Sequence, residues 1–265
     1  MIIVILLAHG TEFWRKINPI LLNFIRKHVE IWAVSQFTKD SLIENHKLKK
    51  EKVIVVNNCI DPNFKIPDTL IKPKSLIDRY QLSPNQPILL TLCRIIGYEQ
   101  PKGYDLVLNI LPGLIEDFPK IHYFVSGKID IQEKNRLEVL IRQLKIEEHV
   151  TLTGFISEKE LTDHYLLADI FIMPSKKEGF GLVFIEAVSC GCKVIAGNQD
   201  GSVDALLNGK IGTLVNPDHP DEIKLALTHH LNCINQEKQM IINQKICIDH
   251  FGHEKYKEKI KSLLQ

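Results

Sequence analysis

The sequence predicts an α/β fold, a doubly wound parallel sheet flanked by helices, and three observations carry that expectation. Short β-branched runs alternate with helical patterns along almost all of the 265 residues. Most of these runs are continuously apolar rather than alternating, which is how strands buried on both faces of a parallel sheet read. Hydrophobic residues make up 45% and charged residues 25% of the chain, which excludes disorder as the main state.

The elements follow in order. Residues 2–8 open the chain as a strand expected to be buried on both faces. Met1-Ile2-Ile3-Val4-Ile5-Leu6-Leu7-Ala8 lacks a basic flank and is too short to span a membrane. Strands at 31–34 and 53–56 come next. Asn57-Asn58-Cys59-Ile60-Asp61-Pro62 is then rich in turn formers, and Pro67, Pro73, Pro84 and Pro87 punctuate the stretch behind it, which marks a linker. Beyond it lie strands at 88–92, 121–125, 150–152, 170–173, 194–196 and 213–215. Helical patterns at 104–117, 132–144, 158–167, 182–189 and 220–230 separate them. Six strands complete one doubly wound sheet, whereas three are too few for a second. The expected organisation is a partial domain over 1–62, a linker over 63–87, a complete ligand-binding domain over 88–248, and a terminal helical segment over 249–265.

Charge narrows the function. Thirty-three Lys and Arg against 32 Asp and Glu leave a formal net charge of +1, so no global field holds nucleic acid. Any anion must be gripped by a few placed cations. The six cysteines are scattered, and Cys190 and Cys192 lie too close for an ordinary disulfide. Buried thiols in a reducing cytoplasm are the expectation.

The densest chemistry lies at Pro174-Ser175-Lys176-Lys177-Glu178-Gly179-Phe180-Gly181-Leu182, between a strand and a helix. Ligands of open α/β sheets bind at the carboxyl ends of strands. Gly179 and Gly181 allow close backbone approach, and the amides opening the helix at Leu182 suit an anion. Glu186, one turn into that helix, is expected to lean back toward the ligand that Glu178 faces. Two carboxylates beside an anion cradle suit a molecule with both hydroxyls and phosphate. Each carboxylate taken alone reads equally well as a solvated acid at a helix start.

In combination this run resembles the family 4 glycosyltransferases of the GT-B fold, with their P-S-x-x-E-G-F-G-L-x-x-x-E-A-x-x-x-G pattern. The match continues through Gly191, Gly201-Ser202-Val203-Asp204 and Asn208-Gly209. The resemblance implies a GT-B-like chain: one complete doubly wound domain plus a truncated second Rossmann-like domain. It implies a retaining hexosyltransferase that takes a nucleoside-diphosphate sugar, UDP-glucose before GDP-mannose, to a hydroxyl acceptor in glycan biosynthesis. Arg94 and Lys102 match the cations that grip the donor diphosphate, and His9-Gly10 matches a His-Gly step facing the transferred sugar. Gly127 and Phe155-Ile156 match backbone near the base or ribose. The resemblance thus assigns catalytic roles to His9, Arg94, Lys102 and Glu178. Donor-binding roles fall to Gly10, Gly127, Phe155, Ile156, Gly179, Phe180, Gly181, Leu182 and Glu186.

No cofactor or metal is expected beside such a cation pair. The expected location is cytoplasmic, with peripheral membrane association left open. A full family member carries further βα units before the first strand, so a truncated product and a second chain completing the domain both stand. Two other readings also stand. One is a nucleotide-sugar-binding module without transfer, and the other is a GT-B-fold epimerase of UDP-sugars.

Overall fold

The computed structural model describes residues 4–13, 16–83, 85–97, 102–233 and 237–265; residues 2–3 of the first expected strand, and Pro84, lie outside them. Among the described residues, Val4–Ala8 (β1), Val29–Ala33 (β2) and Val53–Val55 (β3) form a parallel sheet in that order. Pro19–His28 (α1) and Gln36–His46 (α2) make the crossovers. Neither helix is expected from the apolar pattern, although Asn18-Pro19 carries a start signal. The Asn18 side chain accepts a hydrogen bond from the Ile20 N–H at 2.9 Å, and Pro19 occupies the first turn.

Lys74–Arg79 (α3) follows within the stretch read as linker. That stretch is packed rather than loose. Leu76 is fully buried, and the Lys72 ammonium meets the Asp169 carboxylate at 2.6 Å. Asp169 also accepts from the Ile88 N–H at 2.8 Å, tying the segment to the start of the next sheet.

The second sheet has six parallel strands: Ile88–Leu92 (β4), His122–Ser126 (β5), Val150–Gly154 (β6), Ile170–Met173 (β7), Lys193–Gly197 (β8) and Thr213–Val215 (β9). Their order is β6-β5-β4-β7-β8-β9. Renumbered from its own first strand this is 3-2-1-4-5-6, the dinucleotide-fold order, and its switch point lies between β4 and β7. Tyr104–Ile115 (α4), Ile131–Leu144 (α5), Glu158–Leu167 (α6), Leu182–Ser189 (α7), Ser202–Ala205 (α8) and Pro220–Asn232 (α9) connect and cover it. Glu237–Phe251 (α10) and His253–Leu264 (α11) close the chain.

The continuous apolar runs have the cause that was expected. Along β7, Ile170 and Ile172 enter the core shared with α4, α5 and α9, while Phe171 and Met173 enter the opposite core under α6, α7 and α10. Alternate side chains thus fill opposite faces. β1 requires a correction. Its run reads as a strand buried on both faces, yet Val4 is 41% and Leu7 50% exposed. Among the described residues β1 has only β2 beside it, and the core on this sheet is small.

The terminal segment reaches back toward the first part of the chain. The Ile60 N–H donates to the Phe251 carbonyl at 2.9 Å, and Cys59 Sγ lies 3.8 Å from His253 Nδ1. Helix α10 was not expected; it packs along α7, with Cys247 and Phe251 buried.

Candidate active site

The switch point holds a cavity of about 340 Å³ at the carboxyl ends of β4 and β7. Arg94, two residues past β4, and Lys102, two residues before α4, line it together with His9, Glu178, Gly179, Phe180, Gly181 and Leu182. Eight of the thirteen residues assigned by resemblance therefore meet in one place.

Local chemistry sets this convergence. Gly103 adopts φ +83°, and a Cβ there would fall 2.4 Å from the Pro174 carbonyl oxygen. Only glycine lets the start of α4 press against the loop after β7. That contact carries Lys102 to Glu178, where Nζ and Oε2 stand 2.5 Å apart and both side chains are largely shielded from water. A shielded pair of this kind is held more firmly than a surface salt bridge, and the ammonium stays at the cavity wall. The first turn of α7 opens beside it, capped by Gly181 without a side-chain acceptor, so its amides are oriented for an anion.

The first sheet closes the other wall. A Cβ at Gly179 would lie 1.8 Å from the His9 carbonyl oxygen. The close approach that Gly179 permits is thus to His9 of the first sheet, at the cavity wall. The Glu12 carboxylate holds this turn by accepting from the His9 N–H at 2.5 Å and the Gly10 N–H at 3.2 Å. Ser35 caps α2, and the Thr38 hydroxyl donates to the Gly179 carbonyl at 3.3 Å.

Glu186 departs from expectation. It lines a different cavity, of about 620 Å³, beside Asp61, Asn63 and Glu158, while Glu178 lines the switch-point cavity. Its Oε2 accepts the Tyr165 hydroxyl at 2.8 Å. Burial pushes the Glu186 carboxyl above the usual carboxylate range, against the pull of the Tyr165 hydrogen bond, and the Asp61 charge adds to the rise. Glu178 lies in the loop before α7, whereas Glu186 stands one turn into the helix, where the Tyr165 hydroxyl of α6 holds its carboxylate. Of the remaining four, Gly10 sits in the His9 turn, and Gly127, Phe155 and Ile156 lie elsewhere on the large sheet's carboxyl edge. Gly127 ends β5 against the Cys93 carbonyl, and its N–H donates to the Gly154 carbonyl at 2.9 Å. Phe155, after β6, is 76% exposed, and Ile156 is buried.

Asn58 and Met173 also line the switch-point cavity and were not singled out by motif. Asn58 had a usable signal, since it lies at the start of the turn-rich run that leaves the first sheet.

A six-stranded dinucleotide-type sheet with two cations and a carboxylate at its switch point defines the class, a doubly wound α/β protein with charged groups gathered at the carboxyl ends of its strands. The family model for "Glycosyl transferases group 1" matches residues 74–246. The chain belongs to that family, the family 4 glycosyltransferases of the GT-B fold. Over 157 residues it is 32% identical to a GDP-mannose-dependent alpha-(1-6)-phosphatidylinositol monomannoside mannosyltransferase of Mycolicibacterium smegmatis. That match covers 57% of this chain and 40% of the relative. It is 26% identical to the mannosylfructose-phosphate synthase of Agrobacterium fabrum over 201 residues, 74% of this chain and 43% of that protein. The chain thus spans about two-fifths of the length of these curated relatives.

A glycosyltransferase from Rickettsia africae ESF-5 superposes with a TM-score of 0.81 at 22% identity, covering 98% of this chain and 69% of that one. Anabaena Alr3699/HepE, solved with UDP and glucose, superposes at 0.80 and 20% identity, with 99% and 71% covered. At these identities the two structures show the shared GT-B fold. Among the described residues no helix is long and apolar enough to cross a membrane.

Proposed function

We propose that this chain binds a nucleoside-diphosphate hexose at the switch point and takes part in retaining transfer of the hexose to a hydroxyl acceptor. The observation that carries this reading is the convergence of Arg94, Lys102, Glu178 and the opening turn of α7 on one cavity. Charge develops on the departing diphosphate, where a guanidinium, an ammonium and oriented amides lower the barrier most. Lys102 then exchanges part of its contact with Glu178 for a phosphate oxygen, which frees the Glu178 carboxylate to accept from sugar hydroxyls. His9 faces the sugar from the opposite wall. Glu186, its orientation set by Tyr165, accepts from the ribose hydroxyls, with the base lying toward Gly127 and Phe155. Cations on the protein supply the charge that a bound metal would otherwise provide.

Relatives of both donor classes are compatible with this reading, the GDP-mannose-dependent mannosyltransferase and the Anabaena protein solved with UDP and glucose. Calorimetric titration with UDP-glucose and GDP-mannose, followed by analysis of products released with and without a hydroxylated acceptor, tests the reading. Saturable binding of one donor and sugar transfer or donor hydrolysis are expected. Binding without any turnover would favour the non-catalytic module, and binding of neither donor would refute the site.

A further inference from the structure

We infer that Asp200 is a positioning residue, a buried carboxylate that locks the Glu178 loop in the geometry the donor sugar needs. The inference deepens the functional reading above and rests on it. Asp200 follows β8 and is 2% exposed. Oδ2 accepts from the Glu178 N–H at 2.8 Å and the Ser175 hydroxyl at 2.7 Å. Oδ1 accepts from the Ser202 N–H at 2.9 Å and the Ser202 hydroxyl at 2.6 Å.

The Gly201 N–H donates to the Glu178 carbonyl at 2.8 Å, and a Cβ at Gly201 would fall 2.1 Å from the Gly179 carbonyl oxygen. The loops after β7 and β8 are therefore joined through one side chain and one backbone contact. The joined unit holds Glu178 against Lys102. Two residues past the Ser202 partner, Asp204 in α8 accepts from the Gln36 N–H at 3.0 Å, so the segment after β8 also meets the start of α2.

The chemistry demands a carboxylate. Both of its oxygens face a backbone N–H, and an amide offers only one oxygen. An asparagine would set its NH₂ group against either the Glu178 N–H or the Ser202 N–H, leaving a buried donor unpaired. Burial raises the Asp200 carboxyl above its usual range while the four donors oppose that rise. The site thus spends burial on keeping an acceptor at both loops.

The test is calorimetric titration of the wild-type chain, Asp200→Asn and Ser175→Ala with UDP and UDP-glucose, and with GDP and GDP-mannose, alongside thermal unfolding. The pair bound by wild type is the one compared. Asp200→Asn should leave the nucleoside diphosphate Kd within about two-fold and shift the ratio of the two Kd values about ten-fold against the sugar nucleotide. Ser175→Ala, which removes one hydroxyl donor and keeps both backbone bonds, should shift the ratio about three-fold and serves if Asp200→Asn does not fold. Equal weakening of both ligands would mark Asp200 as a scaffold residue and overturn the proposal, as would an unchanged ratio in either variant. Failure of wild type to bind any of the four ligands would instead overturn the functional reading, and this proposal with it.

Discussion

In β7 every residue is buried, with Ile170 and Ile172 in one core and Phe171 and Met173 in the other, whereas β1 exposes Val4 and Leu7 and borders a small core. Helix α1 beside it leaves Ile20, Leu21 and Phe24 at the surface. The contrast separates platform from wall. Arg94, Lys102 and Glu178 stand at the carboxyl ends of the fully packed sheet. The less covered sheet contributes His9 and the start of α2, held to the platform through Gly179 and Asp204. Preorganised charge belongs on the stiffer element, and segments that move during binding come from regions of lower local stability.

The comparison breaks most visibly in unfolding experiments. Phe171→Ala, which empties a site packed against Tyr165 and Phe184, should cost about 3–5 kcal/mol in urea unfolding. Leu7→Ala on β1 should stay within about 0.5 kcal/mol. Comparable losses at the two positions would erase the distinction between the sheets.

Lys102→Ala comes next and acts on chemistry. Turnover of the donor should fall by two to three orders of magnitude, about 3–4 kcal/mol of barrier. Activity within a few-fold of wild type would remove Lys102 from the diphosphate. Gly179→Ala probes the seam between the regions. Its methyl group would overlap the His9 carbonyl, so a loss of about 1–3 kcal/mol is expected, with faster proteolysis near the His9 turn.

The smallest effect is a pH dependence confined to the platform. His122 bonds the Thr151 hydroxyl and His230 the Thr213 hydroxyl. Burial, reinforced by the charge of His149 and of Lys193 respectively, pushes each imidazole down to about 4. Both stay neutral in the fold while the unfolded chain takes up protons from about pH 6.5 downward. The stability these two histidines contribute should therefore be full above neutrality and be lost between about pH 6.5 and 4, by roughly 1–2 kcal/mol per histidine after allowing for partial exposure. The double variant His122→Gln/His230→Gln should flatten that slope in thermal unfolding. An unchanged slope would move its origin elsewhere.

What could be read without coordinates follows the same division. The strands of the large sheet were legible because two-sided burial writes itself as an uninterrupted apolar run, as at 88–92 and 170–173. That same signal misled at β1, since an apolar run does not say whether anything covers the strand. Helix α2 was hidden because Gln36–His46 carries no apolar stripe; Leu42 fills the small core from it, with Ile43 partly buried beside it. That Arg94, Lys102 and Glu178 come together at one cavity was legible from motif and strand ends. The Lys102–Glu178 pair, the Tyr165–Glu186 bond and the four donors on Asp200 were not, because each joins loops or helices that only the folded topology brings together. The separate cavity of Glu186 likewise depends on how α7 lies across the sheet.

The most direct measurement is a crystal structure of the chain soaked with UDP-glucose or GDP-mannose. The diphosphate should lie between the Arg94 guanidinium and the Lys102 ammonium at the first turn of α7, with its ribose toward Glu186. A donor whose phosphates bind away from both cations, with the Lys102–Glu178 contact untouched, would contradict the account.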